Sequence, residues 1–194
     1  MSPLPPYAAI ALAGGRAARL GGQAKPQLDV GGRSMLATVL AALDDAAPRV
    51  VVGPPQPVPP GVLLVREEPP GGGPVPALAA GLAAAGDAEV VAVLAADLPF
   101  VTAGLITELR ERLTGDGVLV VDDAGRDQLL LGVWRAAALR RVLTGSRPHS
   151  PLRAALSSLD VRRHHPTRTP GVPAPWTDCD TPAELARARA AAVG

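Results

Sequence analysis

Aromatic side chains make up only 2% of this 194-residue chain, and cysteine occurs once. With two tryptophans, one tyrosine and one phenylalanine, a core must be assembled from Ala, Val and Leu. The aromatic platforms on which single-stranded nucleic acid stacks are missing. The lone Cys179 excludes an internal disulfide and a cysteine-rich zinc site. Three histidines, at 149, 164 and 165, leave little room for a histidine-based metal centre. Formal net charge is +1 with no basic block, which argues against duplex binding and a polybasic membrane anchor. The start lacks a charged n-region, and the apolar run 7–13 is too short for a span before it meets Gly14-Gly15. Neither an export signal nor a transmembrane segment is expected, nucleic acid and membrane are not expected as partners, and the setting expected is cytoplasmic.

The chain does have apolar mass: 47% hydrophobic against 19% charged residues, enough for one globular domain over 1–194. Short apolar runs at 8–13, 50–52, 62–65, 90–94 and 118–121 are continuous rather than alternating, the pattern of strands covered on both faces. Residues 129–134 add a further strand candidate. Between them lie helical patterns: Ser34 as cap for Leu36, Val39, Leu40 and Leu43; a stretch from about Pro76 to Ala85; and Leu105, Ile106, Leu109 and Leu113 after Thr102. Thr181-Pro182-Ala183-Glu184 is a capping box with proline at the first helical position. Alternating strands and helices predict an α/β fold of three layers around a mostly parallel sheet. The 22 prolines and 21 glycines imply many loops. The loop 54–61 reads as a surface connection. The glycine-dense loop 69–76 follows a strand, at the edge where open α/β sheets bind ligands, and is equally placed to wall a pocket.

The most informative stretch runs directly from the first strand: Leu12-Ala13-Gly14-Gly15-Arg16-Ala17-Ala18-Arg19-Leu20-Gly21-Gly22-Gln23-Ala24-Lys25-Pro26. Glycines let the backbone approach a phosphate and turn N–H groups onto it. Arg16, Arg19 and Lys25 add positive charge on the same loop. The dinucleotide fingerprint G-x-G-x-x-G is absent, and G-x-x-x-x-G-K-[ST] fails because Lys25 lies between Ala24 and Pro26. Farther on, Asp97 closes the 90–94 run in Ala95-Ala96-Asp97-Leu98-Pro99-Phe100. A carboxylate there suits Mg²⁺ held jointly with substrate phosphates, and capping a turn before proline is the plainer use. Asp178 and Asp180 share one side-chain sense in an extended segment, with Cys179 between them directed into packing.

The motif L-A-G-G-R-x-x-R-L-G-G-x-x-K, from Leu12 to Lys25, resembles the signature of Rossmann-like nucleotidyltransferases, and most closely the molybdenum cofactor guanylyltransferase family. The continuation Pro26-Gln27-Leu28-Asp29-Val30-Gly31-Gly32-Arg33-Ser34-Met35-Leu36 is similar to that family's K-x-x-L-x-V-x-G-x-P-L-L, with Ser34 where proline is common. The resemblance covers nearly the whole chain. It implies transfer of GMP from GTP to molybdopterin with release of pyrophosphate. It implies nucleotide contacts from Leu12, Ala13, Gly14, Gly15, Arg16, Lys25, Glu68 and Asp97. The metal, Mg²⁺ with Mn²⁺ as a substitute, is implied on Asp97, with Asp180 preceding Thr-Pro as the second ligand and Asp178 as its rival. Gly73-Pro74-Val75-Pro76-Ala77 matches the family's G-P-L-x-G only in part, with Ala77 where glycine is common, and in Asp127-Gln128-Leu129-Leu130-Leu131-Gly132-Val133-Trp134 a leucine replaces the proline of Q-P-L-x-G-V-[YW].

On this reading Lys25, Arg19 and Asp97 are catalytic. The acceptor is an already anionic phosphate, so positioning and charge neutralisation suffice without a general base. A nucleotide-binding half of about 7–115 and an acceptor half of about 116–194 are expected. The stretches 147–153 and 162–165 are candidates to meet the anionic acceptor. Molybdenum cofactor insertion or carrier proteins are candidate partners. Leu12-Ala13-Gly14-Gly15, where the cytidylyl group has L-A-A-G, leans towards a purine through the missing methyl, a distinction typically on the order of 1–3 kcal/mol. The alternatives are a cytidylyltransferase on the same cofactor, another small-molecule nucleotidyltransferase, and a non-catalytic nucleotide-binding protein.

Overall fold

The computed structural model describes residues 4–14, 19–20, 23–145 and 149–192, with residues 19, 20 and 23 described in their backbone only. Seven strands form one sheet: β1 Ala8–Leu12, β2 Arg49–Val52, β3 Val62–Val65, β4 Val90–Ala95, β5 Gly117–Val121, β6 Asp127–Arg135 and β7 Val161–His164. Their spatial order is β7-β5-β6-β4-β1-β2-β3. All neighbours pair in parallel except β6, which runs antiparallel to both β4 and β5. The chain therefore reverses its direction of travel between β1 and β4, the topological switch where doubly wound sheets open a crevice for ligands.

The expected layers are present. Alternate residues of each strand face opposite cores because side chains alternate along extended backbone. On one face, Ala9, Ala11, Ala92, Leu94, Val118 and Val120 pack against helices α1 (Met35–Ala42) and α3 (Ala103–Glu111). On the other, Ile10, Val50, Val52, Val91, Val93 and Trp134 pack against α2 (Pro74–Ala84), α4 (Ala136–Leu143) and α5 (Leu152–Leu156). A satellite core of Leu28, Val30, Met35, Cys179, Leu185 and Ala188 seats the last helix, α6 (Pro182–Ala191).

The local signals act as expected at three helix starts. Ser34 accepts from Ala37 N–H, Thr102 from Leu105 N–H, and Thr181 and Glu184 complete the reciprocal capping box. Two boundaries differ. Helix α2 begins at Pro74 rather than near Pro76, because Gly73 turns the chain at φ 95° and both prolines fall in the first turn, where N–H groups have no intrahelical partner. The basic stretch at 162–165 is largely the edge strand β7. Gly81, inside α2, lets that helix close on the sheet: a Cβ there would lie 2.5 Å from Ile10 Cγ2 and 3.1 Å from Val52 Cγ2. Among the described residues no helix is long and apolar enough to cross a membrane.

Candidate active site

Two cross-strand ties carry β1 and β4 past their last paired residues: Ala13 N–H donates to Val52 O at 2.7 Å, and Ala96 N–H to Leu12 O at 3.0 Å. They bring the start of the glycine-rich loop beside Asp97, at the switch point. Gly53 permits the approach, since a Cβ there would stand 2.9 Å from Ala13 C.

Lys25 returns to the same place through a single 3₁₀ turn, Lys25–Gln27. Its side chain is 5% exposed, and its Nζ lies 2.5 Å from Asp97 Oδ2 and also bonds Asp180 Oδ1. Burial alone would lower the ammonium's pKa. The hydrogen bonds and charges of Asp180 and Asp97 outweigh it and leave the value raised, so Lys25 is a fixed cation. Asp178 lies close enough to feel this group. Burial raises its pKa first, and repulsion from Asp180 and Asp97 adds to that. It lines a small cleft with Phe100, Thr177, Glu184 and Arg187.

Two carboxylates thus hold one ammonium, with a third, Asp178, near enough to act on them through its charge. No three His, Cys, Asp or Glu side chains among the described residues already form a metal cage. A net negative cluster of hard oxygens that falls short of a full cage suits a divalent cation completing its shell with substrate phosphates. Cys179, between the two aspartates, is fully buried, and desolvation pushes its thiol up to about 11. It is a packing residue, as its place between Leu28, Met35 and Leu185 requires.

A cleft of about 530 Å³ is lined by Leu12, Gly14, Glu67, Gly71, Gly73, Pro74, Ala77, Ala95, Asp97, Leu130 and His149. The proline-glycine loop is therefore a wall of this cleft. Glu67 is 7% exposed. Its Oε1 accepts from Gly71 N–H at 2.9 Å, whereas its buried Oε2 has no hydrogen-bond partner. Glu68, the acidic residue expected to reach the nucleotide, is exposed and does not line the cleft. Positions 65 and 67 share a face of the extended chain and 66 and 68 the other, and that alternation favours Glu67.

Of the expected residues, the structure brings Leu12, Ala13, Gly14, Lys25, Asp97 and Asp180 together at the switch point. Gly15 and Arg16 lie outside the described residues, and of Arg19 only the backbone is described, in a short ribbon pairing Arg19–Leu20 with Gln23–Ala24. The basic stretches reach different places. Arg153 and Arg163 both pair with Asp127 at 3.1 and 2.8 Å, His164 Nε2 lies 3.1 Å from Glu108, and His149 faces the cleft.

Comparison with known proteins agrees with this fold. The MobA-like NTP transferase domain matches residues 9–165. A molybdenum cofactor guanylyltransferase from Xanthomonas euvesicatoria is 32% identical over 183 residues, 94% of each chain. A protein from Mycobacterium tuberculosis named "probable molybdenum cofactor guanylyltransferase" is 35% identical over 167 residues, 80% of this chain and 83% of that one. A solved structure of a molybdopterin-guanine dinucleotide biosynthesis protein A from Archaeoglobus fulgidus superposes with a TM-score of 0.66 at 19% identity, over 94% of this chain and 96% of that one, a likeness of fold.

Proposed function

We propose that this chain, which belongs to the family of MobA-like NTP transferase domains, transfers GMP from GTP to molybdopterin and releases pyrophosphate. The observation that carries the reading is one cleft lined both by Asp97, whose carboxylate holds Lys25 beside Asp180, and by Glu67, whose Oε2 has no hydrogen-bond partner. The lysine–aspartate cluster suits phosphates, and the Glu67 carboxylate suits a hydrogen-bond donor.

Guanine offers adjacent donors, N1–H and the 2-amino group, to one carboxylate. Glu67 Oε2 is assigned to accept from that edge, with Leu12, Ala77 and Leu130 as apolar walls. Gly14, which lines the cleft without a side chain, leaves room for the ribose and phosphates. The acceptor phosphate oxygen attacks the α-phosphorus, and the bond to the leaving pyrophosphate breaks with its electron pair passing to pyrophosphate. Lys25, held between two carboxylates, keeps its positive charge where negative charge accumulates on the α-phosphate. Arg16 and Arg19 are assigned to the leaving pyrophosphate. Asp97 and Asp180 would hold Mg²⁺, or Mn²⁺ in its place, which when bound supplies charge neutralisation to the phosphate oxygens. The half at about 7–115 is read as supplying most of the nucleotide contacts, and the half at about 116–194 as binding the acceptor while lending Leu130 and Asp180 to the nucleotide side. The cytoplasm, with its reduced thiols, suits the free Cys179.

Calorimetric titration of GTP, CTP and ATP with Mg²⁺ tests the reading. Metal-dependent GTP binding, with CTP and ATP at least about tenfold weaker, is the expected result. A preference for CTP would move the activity to cytidylyl transfer, and no binding by any of the three, alone or with acceptor present, would refute it.

A further inference from the structure

We infer that His149 is a nucleotide-contacting residue whose imidazole closes the nucleoside end of the cleft by stacking on the base; the inference rests on the nucleotidyl-transfer reading above. Eleven described residues adopt a positive φ, and ten of them are glycine. The exception is His149, at φ 62°. A Cβ makes that backbone unfavourable, and among non-glycine residues asparagine, aspartate and histidine adopt it most often. Non-glycine residues held in such regions cluster at ligand sites.

The surroundings show what holds the conformation. His149 N–H donates to Gly72 O at 2.6 Å. Its Cα stands 3.8 Å from where a Cβ on Gly73 would lie. Gly73 is itself left-handed, at φ 95°, and caps α2. Two left-handed residues therefore meet back to back. One comes from the loop after β3, and the other from the segment joining α4 to α5 on the far side of the switch point.

Packing gives no reason for a histidine there, since the side chain is exposed rather than seated in either core. It does line the cleft beside Gly71, Gly73 and Glu67. Of the described residues lining that cleft, His149 alone carries a planar ring. A purine gripped at its edge by Glu67 and backed by leucine and alanine needs a flat partner on its open side, and base–ring stacking supplies one.

The test compares the full-length wild type with His149→Gly and His149→Phe by calorimetric titration of GTP with Mg²⁺ and by thermal melting. His149→Gly is expected to melt at or above the wild-type temperature, because glycine adopts the left-handed backbone freely. It is expected to bind GTP at least about fivefold more weakly. His149→Phe keeps a planar ring, so it should bind GTP within about twofold of wild type while melting lower. Unchanged GTP affinity in His149→Gly overturns the inference. So does a His149→Phe variant as weak as His149→Gly. A wild-type chain that binds no nucleoside triphosphate overturns both this inference and the reading beneath it.

Discussion

Replacing Glu67 by glutamine separates recognition of the base from every structural role of that side chain. Gly71 N–H, 2.9 Å away, fixes Oε1 as an acceptor. The amide of Glu67→Gln must therefore keep its carbonyl there and place NH₂ where Oε2 now lies buried and unpartnered. A donor then faces the donor edge of guanine. Hydrogen bonds to charged groups contribute about 1.5–3 kcal/mol each, so losing one costs roughly tenfold to a hundredfold in affinity and losing both costs more. Inosine triphosphate lacks only the 2-amino group, so the wild type should bind it at least about tenfold more weakly than GTP. The variant should lose about a hundredfold or more for GTP and bind the two nucleotides alike. Stability should not fall, because the substitution removes a buried charge whose second oxygen is unpaired. Competition titration with GTP and inosine triphosphate, alongside a urea melt, reads all three quantities. A Glu67→Gln protein that binds GTP within twofold of wild type would refute the assignment, as would a wild type indifferent to the 2-amino group.

Other perturbations act on the fold. Gly81→Ala drives a Cβ to 2.5 Å from Ile10 Cγ2, in a fully buried layer. Overpacking should outweigh the gain in helix propensity and lower unfolding free energy by about 1–2 kcal/mol in urea titration. Tyr7→Phe removes the hydroxyl that bonds Asp45 but keeps the ring under the Arg110 guanidinium, 4.0 Å from its centroid; a loss of about 1–2 kcal/mol is expected. Asp122 accepts from the N–H groups of Ala124 and Arg126, both at 2.9 Å, and from the Arg126 guanidinium at 2.8 Å, so its pKa lies below the ordinary 3.8. The unfolded chain therefore binds a proton more readily. Asp122 contributes stability above about pH 4 that is lost as pH falls through 3.8 towards the folded value. Asp122→Asn should flatten the acid limb of a stability–pH profile, and an unchanged limb would contradict this.

Much of the architecture was legible because its signals are local. Continuous apolar runs marked five strands, and Ser34, Thr102 and the Thr181–Glu184 box marked three helices through hydrogen bonds spanning three residues. What escaped had weak local signals. Strand β7 reads Val-Arg-Arg-His, an edge strand with one apolar residue. Helix α4 follows β6 directly, with no side-chain cap on Arg135, and α5 is too short to show a period. At the site, the motifs around Lys25, Asp97 and Asp180 stood out singly. Their meeting depends on contacts across 72 and 155 residues, which only the strand order supplies. Glu67 was masked by the adjacent Glu68. His149 sits in a basic stretch, with no sequence signal for its left-handed backbone or its place in the cleft.

The most direct test of the account is a transfer assay on the intact chain with GTP, Mg²⁺ and molybdopterin, following pyrophosphate release and the mass of the pterin product in wild type and in Asp97→Ala. Wild type should add one GMP to molybdopterin with one pyrophosphate released per product. Asp97→Ala should stay folded, with turnover lowered by at least about a hundredfold, the order expected when a group that stabilises transition-state charge is lost. No GMP adduct from wild type, or normal turnover from Asp97→Ala, would contradict the account.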